Sequence, residues 1–408
     1  MNPSRYFCHV FFLLALCVGS DVTAQSRLLG ADLSMLPAYE QANVPYKDAN
    51  GNVQNDPLLF FRDAAGIRCV RLRLFVQPTG ETGVIQDLDF VTTFARRIKQ
   101  AGMKVMLDFH YSDTWADPSQ QKRPASWPAE NEAACQQLYR YTTDCLATLN
   151  AAGATPDYIQ IGNEISYGMC GIAVHTGSDQ NWDTFRSFLT SAAKACREQA
   201  PKAKIIIHTE RAGQWSVTKN FYDRISTIDY DIIGLSYYPF WHNSISVLGT
   251  TLSNLATNFP DKEVMIVEYA YYNAWYPSDA KYNFTSTYPA TPAGQQKFTE
   301  DLIAELLRHA NVSGLFYWMP EENPYGNRVY EPWQNRGLFN NGYGNEWTNG
   351  NRALPAFYSL KKFTEGQPDH LSEVKASSSS SITYDLTGKP ASRHVHGIVI
   401  RQGRKTLY

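Results

Sequence analysis

The chain has 408 residues, 43% of them hydrophobic, which is enough for a large buried core. Its formal net charge of -2 leaves no electrostatic footprint for nucleic acid. Aromatic residues reach 13%, with 25 Tyr and 9 Trp; composition alone leaves open whether these rings fill a core or present stacking faces for sugars.

At the N-terminus Arg5 precedes an apolar run over 11–18, too short to span a bilayer. Val22, Thr23 and Ala24 then offer small residues at the -3 and -1 positions of a cleavage site. Residues 1–24 therefore read as a signal peptide removed after Ala24, and the protein as exported, to the extracellular space, the periplasm or the cell surface. Cys17 offers the alternative of a lipidated residue, although Leu16 before it is bulky for that purpose. No later stretch reads as a transmembrane helix. Cys69, Cys135, Cys145, Cys170 and Cys196 remain after cleavage, an odd count. Cys135 and Cys145 fall on one predicted helix, where ten residues rise about 15 Å, whereas a disulfide needs Cα atoms within about 7 Å. No Cys/His spacing resembles a zinc site, so mostly buried free thiols are expected.

Short β-rich runs at 28–33, 69–75, 104–110, 158–162, 204–208, 230–236, 263–268 and 313–318 alternate with amphipathic stretches such as 88–100, 132–150, 182–199 and 294–309. Over 88–100, Phe90, Val91, Phe94 and Ile98 are spaced for one helical face. Gly102, Gly153 and Gly314 punctuate the returns to strand. Eight such units predict an α/β fold, a (β/α)₈ TIM barrel, over residues 25–363. A doubly wound sheet is the alternative, but no Gly-rich phosphate loop follows the first strand. Residues 364–381, polar and ending in a serine run, read as a linker. Residues 382–408 read as a short C-terminal β tail of one or two strands, too small for its own core.

In a barrel the chemistry gathers where strands end. Here those ends carry Asp32, Arg71 and Arg73, His110, Asn163 and Glu164, His208 and Glu210, Ser236 and Tyr238, Glu268, and Trp318. Glu164 closes the fourth strand and Glu268 the seventh, facing each other across the mouth. A retaining glycosidase needs two carboxyl groups about 5–5.5 Å apart, one to protonate the leaving oxygen and later activate water, the other to attack the anomeric carbon. Either Glu alone reads equally well as a rim ion pair. Asp108, Asp113 and Glu210 are competing carboxylates, and Asp108, two residues before His110, reads as a buried structural partner.

The segments Gly30-Ala31-Asp32-Leu33-Ser34, Val70-Arg71-Leu72-Arg73 and Asp108 through Pro118 are similar to glycoside hydrolase family 53. So are Ile161-Gly162-Asn163-Glu164, Gly234 through Trp241, and Phe316-Tyr317-Trp318. The match runs in order from Leu29 to Phe363, and the segment after the third strand is its most specific part. The resemblance implies a retaining arabinogalactan endo-β-1,4-galactanase acting on the galactan side chains of pectin. It makes Glu164 the acid/base and Glu268 the nucleophile, with Asn163 on the 2-hydroxyl and Arg71 and Tyr238 beside the nucleophile. Asp32, His110 and Trp318 would shape the subsite of the terminal sugar, Trp318 as stacking platform, with a cis bond from Trp318 to Met319. Trp115, Trp241, Trp275, Trp318 and Trp333 are expected on the catalytic face, at angles suited to a bent galactan chain.

The chain departs from the family where Met319-Pro320-Glu321-Glu322 replaces the usual Glu-Pro-Ala-Trp, so the loops at 271–292 and 320–345 do not transfer. Some bacterial members hold a structural calcium ion there; Asp279, Asn283 and Asp301 are oxygen donors nearby, but their spacing fits no recognised loop. The chemistry requires no cofactor. Two other readings stay open: a related retaining β-glycanase acting on mannan, glucan or an arabinoside, and a non-catalytic glycan-binding barrel.

Overall fold

The structure, a computed structural model, describes residues 27–323, 335–340 and 350–365, together with the backbone of four short strands in the tail. Eight parallel strands close a barrel: β1 (Leu28–Asp32), β2 (Cys69–Leu74), β3 (Lys104–Phe109), β4 (Tyr158–Ile161), β5 (Lys204–Thr209), β6 (Ile232–Tyr237), β7 (Glu263–Tyr269) and β8 (Val312–Trp318). Each pairs with its sequence neighbours, and β8 closes on β1 with Leu28 opposite Gly314 and Asp32 opposite Trp318. The principal helices are α1 (Pro57–Ala64), α2 (Leu88–Gln100), α3 (Asn131–Ala151), α4 (Trp182–Gln199), α5 (Trp215–Arg224), α6 (Ile245–Asn258), α7 (Pro292–Leu306) and α8 (Pro355–Ser359). This is the expected TIM barrel.

Local chemistry sets the helix ends. Asp87 caps α2 by accepting from the Phe90 N–H at 2.8 Å, and Val91, Phe94, Ala95 and Ile98 form its buried face. Asp56 caps α1 and Thr291 caps α7, each followed by a proline in the first turn, where the missing N–H costs nothing.

Side chains alternate across the barrel wall with period two. The outward set packs under the helices in one large apolar cluster. The inward set begins with an apolar plug: Leu28, Cys69, Met106, Tyr158, Ile206, Ile232, Met265, Val267 and Phe316. Gly30 makes room for the plug, since a Cβ there would meet the Phe316 ring at 2.1 Å. Two residues further along the same strands the inward positions turn polar, giving Arg71, Asp108 and His208.

Cys69, Cys145, Cys170 and Cys196 are buried free thiols, and Cys135 is a partly buried one. Among the described residues no helix is long and apolar enough to cross a membrane. The expected signal peptide (1–24) and linker (364–381) lie outside the described residues, apart from 364 and 365. The tail holds more strand than expected: Pro390–Ala391, Thr383–Tyr384, Ile398–Arg401 and Arg404–Leu407 form a four-stranded antiparallel sheet in that order.

Candidate active site

A cleft of about 500 Å³ opens at the C-terminal ends of the strands. Asn163, Glu164, Glu210, Tyr238 and Glu268 line it, with His110 and Trp318, and with Trp115 and Trp241 at its walls. Both glutamates reach it through an interruption of strand geometry. On β7, Leu235 of β6 faces Ile266 while Ser236 faces Glu268, so Val267 is an extra residue in the pairing. Val267 points into the apolar plug, and regular alternation would send Glu268 outward among the helices; the bulge turns it into the cleft instead. On β4 the strand stops at Ile161. Gly162 at φ +73° and Glu164 at φ +48° then turn the chain so that the consecutive Asn163 and Glu164 both face the cleft. Tyr111 (φ +49°) and Met319 (φ +52°) likewise follow His110 and Trp318. A left-handed conformation at a non-glycine residue costs on the order of 1–3 kcal/mol, so its recurrence at three strand ends marks backbone held for the placement of side chains.

Beneath the cleft, Arg71 is fully buried and stands 2.9 Å from Asp32, 2.8 Å from Asp108 and 2.8 Å from Glu268. Asp32 is saturated by Arg71, by Arg73 at 3.0 Å and by the Ser34 N–H at 3.0 Å. Asp32 and Arg71 therefore lie under the floor, where they anchor the groups above; Arg73, stacked 4.9 Å from the Trp115 ring centroid, is the arginine on the cleft wall. His110 accepts from the Ala116 N–H at 3.2 Å through Nδ1, which leaves Nε2 as the protonated nitrogen, 3.0 Å from Asp108. Asp108 is the buried partner that its spacing from His110 suggested.

The two glutamates differ in what holds them. Glu268 has Arg71 on one oxygen and accepts from the Tyr238 hydroxyl at 2.9 Å on the other. Burial raises its pKa, Arg71 and the Tyr238 hydrogen bond oppose this, and Asp108 and Asp32 add to the rise, so that it stays above the ordinary value. Burial also drives Glu164 well above the ordinary carboxylate value, followed by the charges of Glu268 and Glu210, with only the Ser236 hydroxyl, 2.6 Å away, in opposition. Both pKa values are raised, and the surroundings favour the acid form more strongly at Glu164 than at Glu268.

Trp318 lines the cleft, with the Arg336 guanidinium 4.5 Å from its ring centroid. The bond from Trp318 to Met319 is trans, contrary to expectation; no cis peptide occurs among the described residues, and the chain leaves the strand through the positive φ of Met319. Trp115, Trp241 and Trp318 border the cleft as expected; Trp275 is not among its lining residues, and Trp333 lies outside the described residues. Asp117, His242 and Arg336 also line the cleft and were not singled out from the sequence. Asp117 sits within the family-like segment after β3, whereas Arg336 comes from the divergent loop after β8, where no pattern pointed to it. Two of the three candidate calcium donors have other partners: Asp301 accepts from Lys297 and Tyr288, and Asn283 accepts from the Thr285 N–H. Among the described residues no cluster of three acidic, His or Cys side chains could hold a metal.

Residues 28–360 match the family model described as glycosyl hydrolase family 53. The chain belongs to that family. It is 36% identical over 306 residues to an arabinogalactan endo-β-1,4-galactanase of Thermothelomyces thermophilus, covering 71% of this chain and 88% of the relative. Among solved structures it resembles a fungal β-1,4-galactanase with TM-score 0.70 and 31% identity, over 83% of this chain and 99% of that one. It also resembles the family 53 catalytic domain of Ignisphaera aggregans, with TM-score 0.73 and 31% identity, over 84% and 97%. The family member described here is thus a glycoside hydrolase.

Proposed function

We propose that this hydrolase cuts β-1,4-linked galactan within the chain and with net retention, using Glu268 as nucleophile and Glu164 as acid and base. The supporting observation is the unequal environment of the two carboxyl groups. Glu268 is aimed by Arg71 and Tyr238, both of which favour its ionised form. Glu164, buried among like charges, has its pKa raised well above the ordinary carboxylate value, which favours its acid form. In the first step Glu268 bonds to the anomeric carbon as the glycosidic bond breaks, and the leaving oxygen takes the Glu164 proton. In the second, water gives its proton to Glu164 and its oxygen to the anomeric carbon, which releases Glu268. Asn163, His110 and Trp318 line the cleft and would contact the sugar. The activity named for the relatives and the rings of Trp115 and Trp318, inclined at 54° to each other beside the cleft, support galactan, whose axial 4-hydroxyl bends the chain. Export through a signal in residues 1–24 would bring the enzyme to this polymer.

Rates measured side by side on galactan, mannan and cellulose test the assignment. Galactan should be cut faster by roughly 10³-fold or more, since a site built to hydrogen-bond one hydroxyl leaves its own polar group unpaired with an analogue. Comparable rates on the three polymers would sink the specificity and leave only the two glutamates.

A further inference from the structure

Two polar residues in the barrel mouth, His208 and Ser236, have no role in the reaction as written, yet both are fully buried between Asn163 and Glu164. Their hydrogens can be placed by elimination, beginning at Asn163. Its Oδ1 accepts from Arg71 at 2.9 Å and from Gln160 at 3.2 Å, and its Nδ2 donates to the Ala116 carbonyl at 2.8 Å. A guanidinium is never an acceptor and a carbonyl never a donor, so the amide cannot be reversed. His208 Nδ1 lies 3.0 Å from that Oδ1 and must carry a hydrogen to meet it. The Glu164 N–H also points at this nitrogen, from 3.4 Å, and would need it as acceptor; the shorter contact to Asn163 decides the tautomer. A second proton on the ring is opposed by burial and by the charge of Arg71, with His110 and His242 adding to it. Nε2 is then a bare acceptor, 2.8 Å from Ser236 Oγ. The same Oγ is 2.6 Å from Glu164 Oε1. Ser236 has one hydrogen and two neighbours that can take it.

We propose that His208 and Ser236 form a hydrogen-bond switch that follows the proton of Glu164 through the two halves of the reaction. When Glu164 is protonated on Oε1, it donates to Ser236, Ser236 donates to His208 Nε2, and these three side chains are satisfied. When the leaving oxygen draws the proton to the cleft side by rotation of the carboxyl group, or once the proton has gone, Ser236 turns its hydrogen to Glu164 and His208 Nε2 loses its donor. The resting network therefore favours the acid form, and the rotated hydroxyl supports the carboxylate that later activates water. No proton crosses His208: one leaves Glu164 for the leaving group and one returns from water. Glu268 from β7, Glu210 from the end of β5, Asp117 from the loop after β3 and Tyr238 from the end of β6 also face Glu164 and act in both states. His208 and Ser236 are positioning residues, and the proposal rests on the reading of Glu164 as acid and base.

The first test uses the unmodified enzyme. Imidazole ¹⁵N shifts, with His208 assigned by its loss in His208→Gln, should show the Nδ1–H tautomer at neutral pH; an Nε2–H tautomer or an imidazolium would overturn the switch. The second is the pH profile of kcat/KM on galactan. In His208→Leu the hydrogen of Ser236 is free for Glu164, so the alkaline limb should move down by roughly half to one pH unit, the effect of one hydrogen bond. In a Ser236→Ala background the same substitution should leave the limb in place. A limb that stays put in the single variant, or moves equally in both backgrounds, rejects the switch. Glu164→Gln separates the two claims. If it still cuts galactan at the normal rate, the role of Glu164 falls; if it is inactive while His208→Leu leaves the limb unmoved, only the switch falls.

Discussion

The barrel interior has two halves built from the same strands and the same inward parity. In the lower half, Leu28, Met106, Ile206, Ile232, Met265 and Phe316 meet as apolar side chains. In the upper half, Asp32, Arg71, Asp108, Gln160, His208 and Ser236 occupy the next inward positions and are equally buried. Burial alone therefore does not separate core from site. The lower half is held by exclusion of water and close packing, which is non-directional and tolerates related shapes. The upper half is held by ion pairs and hydrogen bonds, each of which has to be met by a partner because desolvation offsets much of what the charges gain. A plug of apolar residues is a foundation; the polar layer above it trades stability for control of where protons reside.

Substitutions that should affect only one half give the sharpest tests. Glu268→Ala should lower kcat by roughly 10³–10⁶-fold, as removal of a nucleophile does, while circular dichroism shows the fold intact. Azide should restore turnover with an inverted product, because a small anion can enter the vacated place; a rescued product of retained configuration would reject Glu268 as nucleophile. Phe316→Ala should do the reverse. It opens a cavity at the centre of the plug and should cost about 3–5 kcal/mol in urea unfolding, with kcat per folded molecule close to that of the parent. A comparable loss of kcat would mean that the two halves are mechanically one unit.

The smallest expected effect lies where the polar layer meets the divergent loop. Glu322 is fully buried, and burial pushes its carboxyl up to about 8, against the pull of Arg336 and Arg73. The folded form thus holds this proton more tightly than the unfolded chain. Its contribution is fully present below the unfolded value near 4.5 and is lost as pH rises through about 8. Glu322→Gln imitates the protonated state, so the variant and the parent should unfold alike near pH 4.5. The variant should be the more stable by roughly 2 kcal/mol near pH 6, and the gap should widen until about pH 8. Urea midpoints across that range check it, and a constant difference would show that Glu322 does not titrate there.

What the chain order of residues determined by itself was the repeat and its chemistry. Eight β-rich runs, each ending in a polar residue, are a local pattern, and period-two alternation carries it directly into a barrel with a polar mouth. Glu164, Glu268, Asn163, His110, Tyr238 and Trp318 were legible for that reason, and all six line the cleft. Alternation could not say that Glu268 points inward, because strict parity from Val267 sends it the other way; only the bulge between β6 and β7 decides it. Nor could it divide the polar residues into floor and wall. Asp32 looked like a sugar contact and lies beneath the floor, Arg71 lies there too but beside the nucleophile as expected, and Arg73 faces the cleft. The trans bond after Trp318 and the arrival of Arg336 above its ring belong to the same class. These depend on which side chains meet across strands distant in sequence, where the contest between ion pairing and desolvation is settled by three-dimensional neighbours that no local pattern encodes.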